Sequence, residues 1–351
     1  MTPRERILST IERKPVDRTP VDLWVTPEVL ESLRAHTGER DELAVYHQLG
    51  LDKIAWVFPG YGSGGRFDPN EGDGRTMWGV PTRMIKAGLA TYQEFGTPPL
   101  GGIEDAAALD DYPHWPDPAK FDYAGAKDWA RKARSFNFAT IGPWISHYEI
   151  YCQMRGLENA LMDTGADPEF LDATLDRIDA IQTAMLERFL DELGDLIDIV
   201  FISDDMGTQE SLLMSPATWE RHFRDRLKNW CDLIHRHGKK VLYHSDGAVR
   251  PLLPGIIACG IDLLNPIQHI CPGMDRDALR RDFGEQVIFH GGVDNQDILP
   301  FGSAEAVRQE TRTCIETLGR DHGYICCSCH NVQAGTPVEN GLAMIPEAQG
   351  R

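Results

Sequence analysis

The second half of the chain alternates short apolar runs with amphipathic stretches. The runs IDIVFIS (197–203), KVLY (240–243), DLL (262–264), VIF (287–289) and YIC (324–326) have strand length and lack a polar alternate face. Strands buried on both faces read this way in parallel sheets. Stretches with helical spacing of apolar residues follow them, at about 216–237, 249–258, 275–283, 304–318 and 338–345. A strand followed each time by a helix predicts parallel pairing through right-handed crossovers. Three earlier runs, PVDLW (20–24), IAWVF (54–58) and FATI (138–141), bring the strand count to eight. Eight closes a (β/α)8 TIM barrel, which is the α/β fold class predicted. An open doubly wound sheet would place a Gly-rich phosphate turn after its first strand, and PVDLWVTPE has none. Ahead of the first run, Ile7, Leu8 and Ile11 share one face of a short N-terminal helix.

A length of 351 residues suits either two ordinary domains or one large barrel. The strand–helix rhythm selects one barrel over 1–351. Gly- and Pro-rich pieces at 59–65 (PGYGSGG), 71–74 and 97–102 read as loop or lid insertions, about 59–102, over one end of it. Hydrophobic residues at 42% and charged residues at 25% exclude a disordered chain. No apolar run approaches the roughly 20 residues that span a bilayer, and MTPRERILSTIERKP has no secretory apolar core. A nucleic-acid partner requires a basic stripe, and none is visible; the balance of 35 basic against 54 acidic residues, a net charge of −19, gives a bulk field that repels polyanions. Eight scattered cysteines without an export signal predict free thiols and a cytoplasmic location.

Chemistry concentrates where barrel strands end. After IDIVFIS comes DDMGTQ (204–209), after KVLY comes HSDG (244–247), after DLL comes NPIQ (265–268), after VIF comes HGGVD (290–294), and after YICC comes SCHN (328–331). Helix caps account for Asp246, Asp294 and Asn265, since Asp and Asn are favoured capping residues. They do not account for His244, His290, Cys329 or His330. A functional pocket at the strand ends is therefore the expectation, with Gln209, Asn265, Gln268, His290 and Asn331 as its substrate-binding groups. Asp204 and Asp205 are adjacent and point to opposite faces. One is expected at the mouth as an acid or base, the other as a helix cap. His244 and Asp246 lie on one face of an extended segment, and Cys329 ends another strand across the mouth. These three are the expected metal ligands, with zinc the metal that takes imidazole, carboxylate and thiolate together. Tyr148 and Tyr151 share one helical face after the third run, either packed on the barrel or turned to substrate.

The segments RERILSTIERKPVDRTPVDLW, DDYPHWPDP, HSDGAVRPLLPGIIACGIDLLNPIQ and HNVQAGTPVENGLAM carry a resemblance. From Arg4 to the C-terminus the chain resembles the uroporphyrinogen decarboxylase superfamily, which includes cobalamin-dependent methyltransferases. The resemblance implies a (β/α)8 barrel. True decarboxylases follow the first strand with an Arg-rich signature, MRQAGRYLPEY, that clamps porphyrinogen carboxylates. Here the same place reads VTPEVL (25–30), without arginine. By position, Asp205, Tyr151 and His330 match decarboxylase site residues. The methyltransferase branch holds zinc with a His-x-Cys pair and a later Cys. His244 matches the histidine, Asp246 replaces the middle cysteine, and Cys329 matches the last one residue out of register. The resemblance thus implies an enzyme that moves a methyl group between a small methylated substrate and a corrinoid or thiol acceptor. Its cofactors would be zinc and a corrinoid brought by a partner protein, and a homodimer is the expected assembly. Decarboxylation of uroporphyrinogen or a related acid is the alternative. A non-catalytic barrel that binds a small molecule is the second.

Overall fold

The computed structural model describes residues 1–62 and 74–350. Seven strands form one sheet, all parallel and in chain order: β1 (Ile54–Trp56), β2 (Ala139–Ile145), β3 (Ile199–Ser203), β4 (Lys240–His244), β5 (Leu263–Asn265), β6 (Ile288–His290) and β7 (Tyr324–Ile325). Helices lie on every crossover, among them Ala124–Ser135, Pro168–Leu193, Arg224–Arg236, Arg276–Phe283 and Ala304–Leu318. The helix expected over 216–237 is two, Pro216–His222 and Arg224–Arg236, parted at Phe223.

The eighth expected strand, PVDLW, forms no ladder. It makes isolated parallel bridges, Val21 with Cys326 and Val25 with Val332. Asp22 N donates to Cys326 O at 2.8 Å on one side, and Asp52 N donates to Val21 O at 2.8 Å on the other. The segment therefore hydrogen-bonds beside both outer strands of the curled sheet. Two features deny it a regular ladder. Pro20 has no N–H to give, and the Asp22 carboxylate accepts from Leu23 N and Ile54 N in place of main-chain partners.

Side chains on a strand alternate between faces, and the sheet uses both. Ile54, Ala139, Ile141, Ile199, Phe201, Leu242, Leu263, Ile288, Ile325 and Cys327 face inward and form one buried cluster with Trp24. Ile7 and Ile11 of the N-terminal helix Pro3–Ile11 join it. That helix stands at the strands' N-terminal ends, where Arg4 pairs with Asp198 just ahead of β3. The alternate residues, such as Val200, Val241, Leu264 and Phe289, face outward into the larger core under the helices.

A three-stranded antiparallel unit, Gly74–Arg75, Pro81–Ala87 and Ala90–Phe95, leaves this framework after β1. Thr91 N donates to Glu28 Oε1 at 2.9 Å, and Leu89 lies against Gly335. Glu28 and Gly335 both follow segments that end at the C-terminal side of the sheet. The Gly-rich stretches at 63–65 and 71–73 lie outside the described residues. All eight cysteines are free thiols. Among the described residues, no helix is long and apolar enough to cross a membrane.

The first segment is fastened by charge. Asp52 is fully buried and takes Arg6, Arg18 and the Val21 N–H. Removing one partner of a buried ion pair leaves the others desolvated and unmatched. Asp52→Ala is expected to cost about 3 kcal/mol or more in urea unfolding, whereas a surface change such as Asp128→Ala costs under about 1 kcal/mol.

Candidate functional site

The inward positions change character at one level. In register, Ser203 faces His244 and His244 faces Asn265 across β3, β4 and β5. The pairing of Leu264 with Phe289 brings His290 of β6 to the same level. These residues continue the inward parity of Phe201, Leu242, Leu263 and Ile288, so a polar layer caps the apolar interior at the C-terminal strand ends. Trp24 and Phe201 lie beneath it, with ring centroids 6.4 and 5.5 Å from the His244 ring. Trp56 packs edge-on against Phe201 at 4.7 Å and is partly exposed.

His244, Asp246 and His330 converge there. One ligand atom from each lies within 4.8 Å of the others, and the two imidazoles meet edge to face at 5.6 Å. His244 Nδ1 is engaged with Asn265 Oδ1 at 2.5 Å, while Nε2 lies 3.8 Å from Asp205 Oδ1. Burial is the main cause that pushes His330 below its ordinary range. It is thus a neutral imidazole at pH 7, the form that ligates metals.

The loop holding Asp246 is itself clamped. Asp205 Oδ1 accepts from Asp246 N, and Gln268 Oε1 accepts from Gly247 N, both at 2.8 Å. Ala248 N donates to Thr208 O. Gly247 has φ +87°, and a Cβ there would come 2.4 Å from Thr208 O. Only glycine fits where these two strand-end loops interlock.

The adjacent carboxylates divide their roles. Asp204 is buried and accepts from Ser146 Oγ, His147 N, Tyr148 N and Glu149 N, at 2.7, 3.2, 2.5 and 3.2 Å. It anchors the start of the helix Tyr148–Arg155, which follows β2 and precedes Asp204 in the chain. Its acceptor sites are occupied by a helix N-terminus, so the acid–base role expected of it has no free atom. Asp205 is the half-exposed member and faces His244.

Glu149, on the same helix, joins the group without any sign from the sequence reading. Its carboxyl accepts from Ser203 Oγ. Burial pushes it well above the usual carboxylate range, and the charges of Asp205, Asp204 and Asp246 push the same way. Its protonated form is thereby favoured.

Other expected site residues lie elsewhere. The Tyr151 hydroxyl donates to Asp163, which also takes Arg155, in a buried cluster away from this layer. Its phenol is raised by burial and by Asp163, which suits a structural hydrogen bond. Gln209 is exposed on the turn at 208–211. Asn265 and His290 are fully buried, and Gln268 is spent on Gly247. The Asn331 carbonyl accepts from Gln333 and Asn295 side chains. Cys329 is outside the His244–Asp246–His330 group. Its N–H donates to Val293 O, and burial holds its thiol well above the ordinary range. A second group, Asp22, His290 and Cys327, also brings three donor atoms within 4.8 Å, entirely buried.

The raised carboxyl of Glu149 has a stability consequence. A group whose folded pKa exceeds its unfolded one contributes stability below the unfolded value and loses it as pH rises through the folded value. In metal-free protein, the melting temperature is expected to fall from pH 5 to pH 8 by less in Glu149→Gln than in the natural sequence. Parallel curves would show that Glu149 is already ionised at pH 5.

The fold has solved relatives. A methyltransferase from Methanosarcina mazei superposes with a TM-score of 0.70 at 17% identity, over 100% of this chain and 99% of that one. This similarity concerns the fold alone. A class V chitininase from Pseudomonas fluorescens Pf-5 matches at a TM-score of 0.44 and 10% identity, over 93% of this chain and 98% of that one. A likeness of that size carries no argument. No curated protein matches the sequence. The family model for uroporphyrinogen decarboxylase (URO-D) matches residues 97–350. With well over half of the sequence matched, the chain belongs to the uroporphyrinogen decarboxylase family, whose members include decarboxylases and methyltransferases.

Proposed function

We propose that this protein is a methyltransferase that holds one divalent cation, zinc by preference, at the mouth of a closed eight-stranded barrel. In this reading the 20–25 segment is the eighth stave, 1–351 is one domain, and the described part of the expected 59–102 insertion, 74–102, forms a lid. The observation that supports the reading best is the convergence of His244, Asp246 and His330 from two strand ends. Two neutral nitrogens and a carboxylate suit zinc and leave a coordination position for substrate. His330 here takes the place expected for Cys329. A zinc ion so held supplies Lewis acidity and lowers the pKa of a thiol or water bound to it.

The chain's own groups supply the rest. Trp24, Trp56 and Phe201 offer an apolar wall for a small methylated substrate. When the carbon–heteroatom bond breaks, its electron pair leaves with the heteroatom. The methyl carbon takes a new pair from the acceptor, a corrinoid on a partner protein or a thiol. The departing heteroatom needs a proton, and Glu149 holds one beside the site. Ser203 orients that carboxyl, and its partly buried place beside the strand ends favours the protonated form. Decarboxylation of a porphyrinogen lacks support at this layer. Among the described residues no Arg or Lys pairs with Glu149, Asp205 or Asp246, so a polycarboxylate would meet an acidic mouth without cationic partners. Free thiols throughout fit a cytoplasmic enzyme.

Metal analysis of purified protein is expected to give one zinc per chain. His244→Ala, Asp246→Ala and His330→Ala are each expected to lose it, and Cys329→Ser to keep it. Retention in His330→Ala, or loss in Cys329→Ser, would overturn this ligand set. In methyl-transfer assays over a panel of O-, N- and S-methyl compounds, Glu149→Gln is expected to lower turnover of an accepted O- or N-methyl substrate by about 10²-fold or more. Unchanged turnover would remove Glu149 from the reaction.

A further inference from the structure

Asn265 sits between the two fully buried or nearly buried histidines of the polar layer, and its amide can be oriented without seeing a hydrogen. Its Nδ2 lies 3.2 Å from the main-chain oxygen of His290. A carbonyl only accepts, so the donor end of the amide faces His290 and the acceptor end faces His244. The two remaining contacts then have fixed polarity. His244 Nδ1, 2.5 Å from Asn265 Oδ1, carries a hydrogen. His290 Nδ1, 2.8 Å from Asn265 Nδ2, is bare. A neutral imidazole has one N–H. In the neutral form His244 therefore has its lone pair on Nε2, and His290 has its hydrogen there.

The two Nε2 atoms face surroundings that match. His244 Nε2 looks toward Asp205 and the Asp246–His330 group. His290 Nε2 looks toward Asp22 Oδ2 at 3.4 Å and has no closer partner among the described residues. Asp22 is itself fixed, with Lys53 Nζ on Oδ1 and Trp24 Nε1 on Oδ2, each at 2.8 Å.

We infer that Asn265 is a positioning residue that imposes opposite tautomers on its two histidines, making His244 a ligand and barring His290 from that role. The consequence is a choice between the two three-donor groups. His244, Asp246 and His330 present lone pairs. In Asp22, His290 and Cys327 the imidazole presents a hydrogen, and the carboxylate is already neutralised by Lys53. A cation there would have to strip a second proton from His290 and displace an ammonium. Asn265 and His290, expected as substrate contacts, act instead behind the site. The ligand half of this inference rests on the metal reading above, whereas the tautomer half stands without it.

The test uses full-length, metal-free protein labelled with ¹⁵N-histidine. Long-range ¹H–¹⁵N spectra separate the two tautomers, and signals lost in His244→Gln and His290→Gln assign them. The expected result is hydrogen on Nδ1 of His244 and on Nε2 of His290. In Asn265→Leu, His244 is expected to shift toward its Nε2–H form and zinc affinity to fall 10–100-fold, as is usual when a ligand histidine loses its outer partner. A His244 that carries its hydrogen on Nε2 in the natural sequence overturns the inference, and needs no folded variant at position 265. Unchanged tautomers and zinc affinity in Asn265→Leu also overturn it. Zinc titration keeps the two claims apart. The expected tautomers with no zinc bound would sink the metal reading alone, and one zinc bound to a Cys327→Ser protein supports the exclusion of the buried group.

Discussion

Residues two apart on a strand share a face, and this one constraint organises the molecule. Once Phe201, Leu242, Leu263 and Ile288 point inward, Ser203, His244, Asn265 and His290 must do so as well. Four neighbouring strands thus deliver polar groups to one level, directly above an apolar interior. Such groups are costly unless each finds a partner. The side chains solve this by pairing laterally: Ser203 with Glu149, and Asn265 with both His244 and His290. The site is the set of atoms left over after that pairing.

Charge follows from the same geometry. Asp204, Asp205, Asp246 and Glu149 crowd one small region, and like charges so close cannot all be carried. Asp204 keeps its place by accepting from a helix N-terminus, where the backbone N–H groups favour an anion. Asp205 stays in contact with solvent. Glu149, half-buried with one hydroxyl donor, is pushed toward its protonated form. Environment alone therefore separates four carboxyl groups: Asp204 anchors a helix, Asp205 and Asp246 turn toward the histidines, and Glu149 is pushed toward its protonated form.

Much of this was legible in the residues. Continuous apolar runs revealed the parallel strands, and histidines at their ends could not be explained as caps. Other parts depended on tertiary context. PVDLW reads as a strand, but Pro20 and the Asp22 side chain divert its hydrogen bonds. Cys329 and His330 are neighbours, and no rule of spacing tells which reaches His244 once the chain has left β7. Asp204 and Asp205 were separable in principle, yet the helix that Asp204 anchors lies earlier in the chain. Glu149 stands among the aromatics of HYEIYCQ, where helical spacing draws the eye to Tyr148 and Tyr151. Its significance comes from residues over 50 positions away.

The central claim is that the strand-end layer is a metal centre built on His244, Asp246 and His330. Anomalous diffraction at the zinc edge, from crystals grown with one equivalent of zinc, tests it most directly. The account predicts a single peak among those three side chains. A peak between Asp22, His290 and Cys327, a peak on Cys329, or no peak at the strand ends would contradict it.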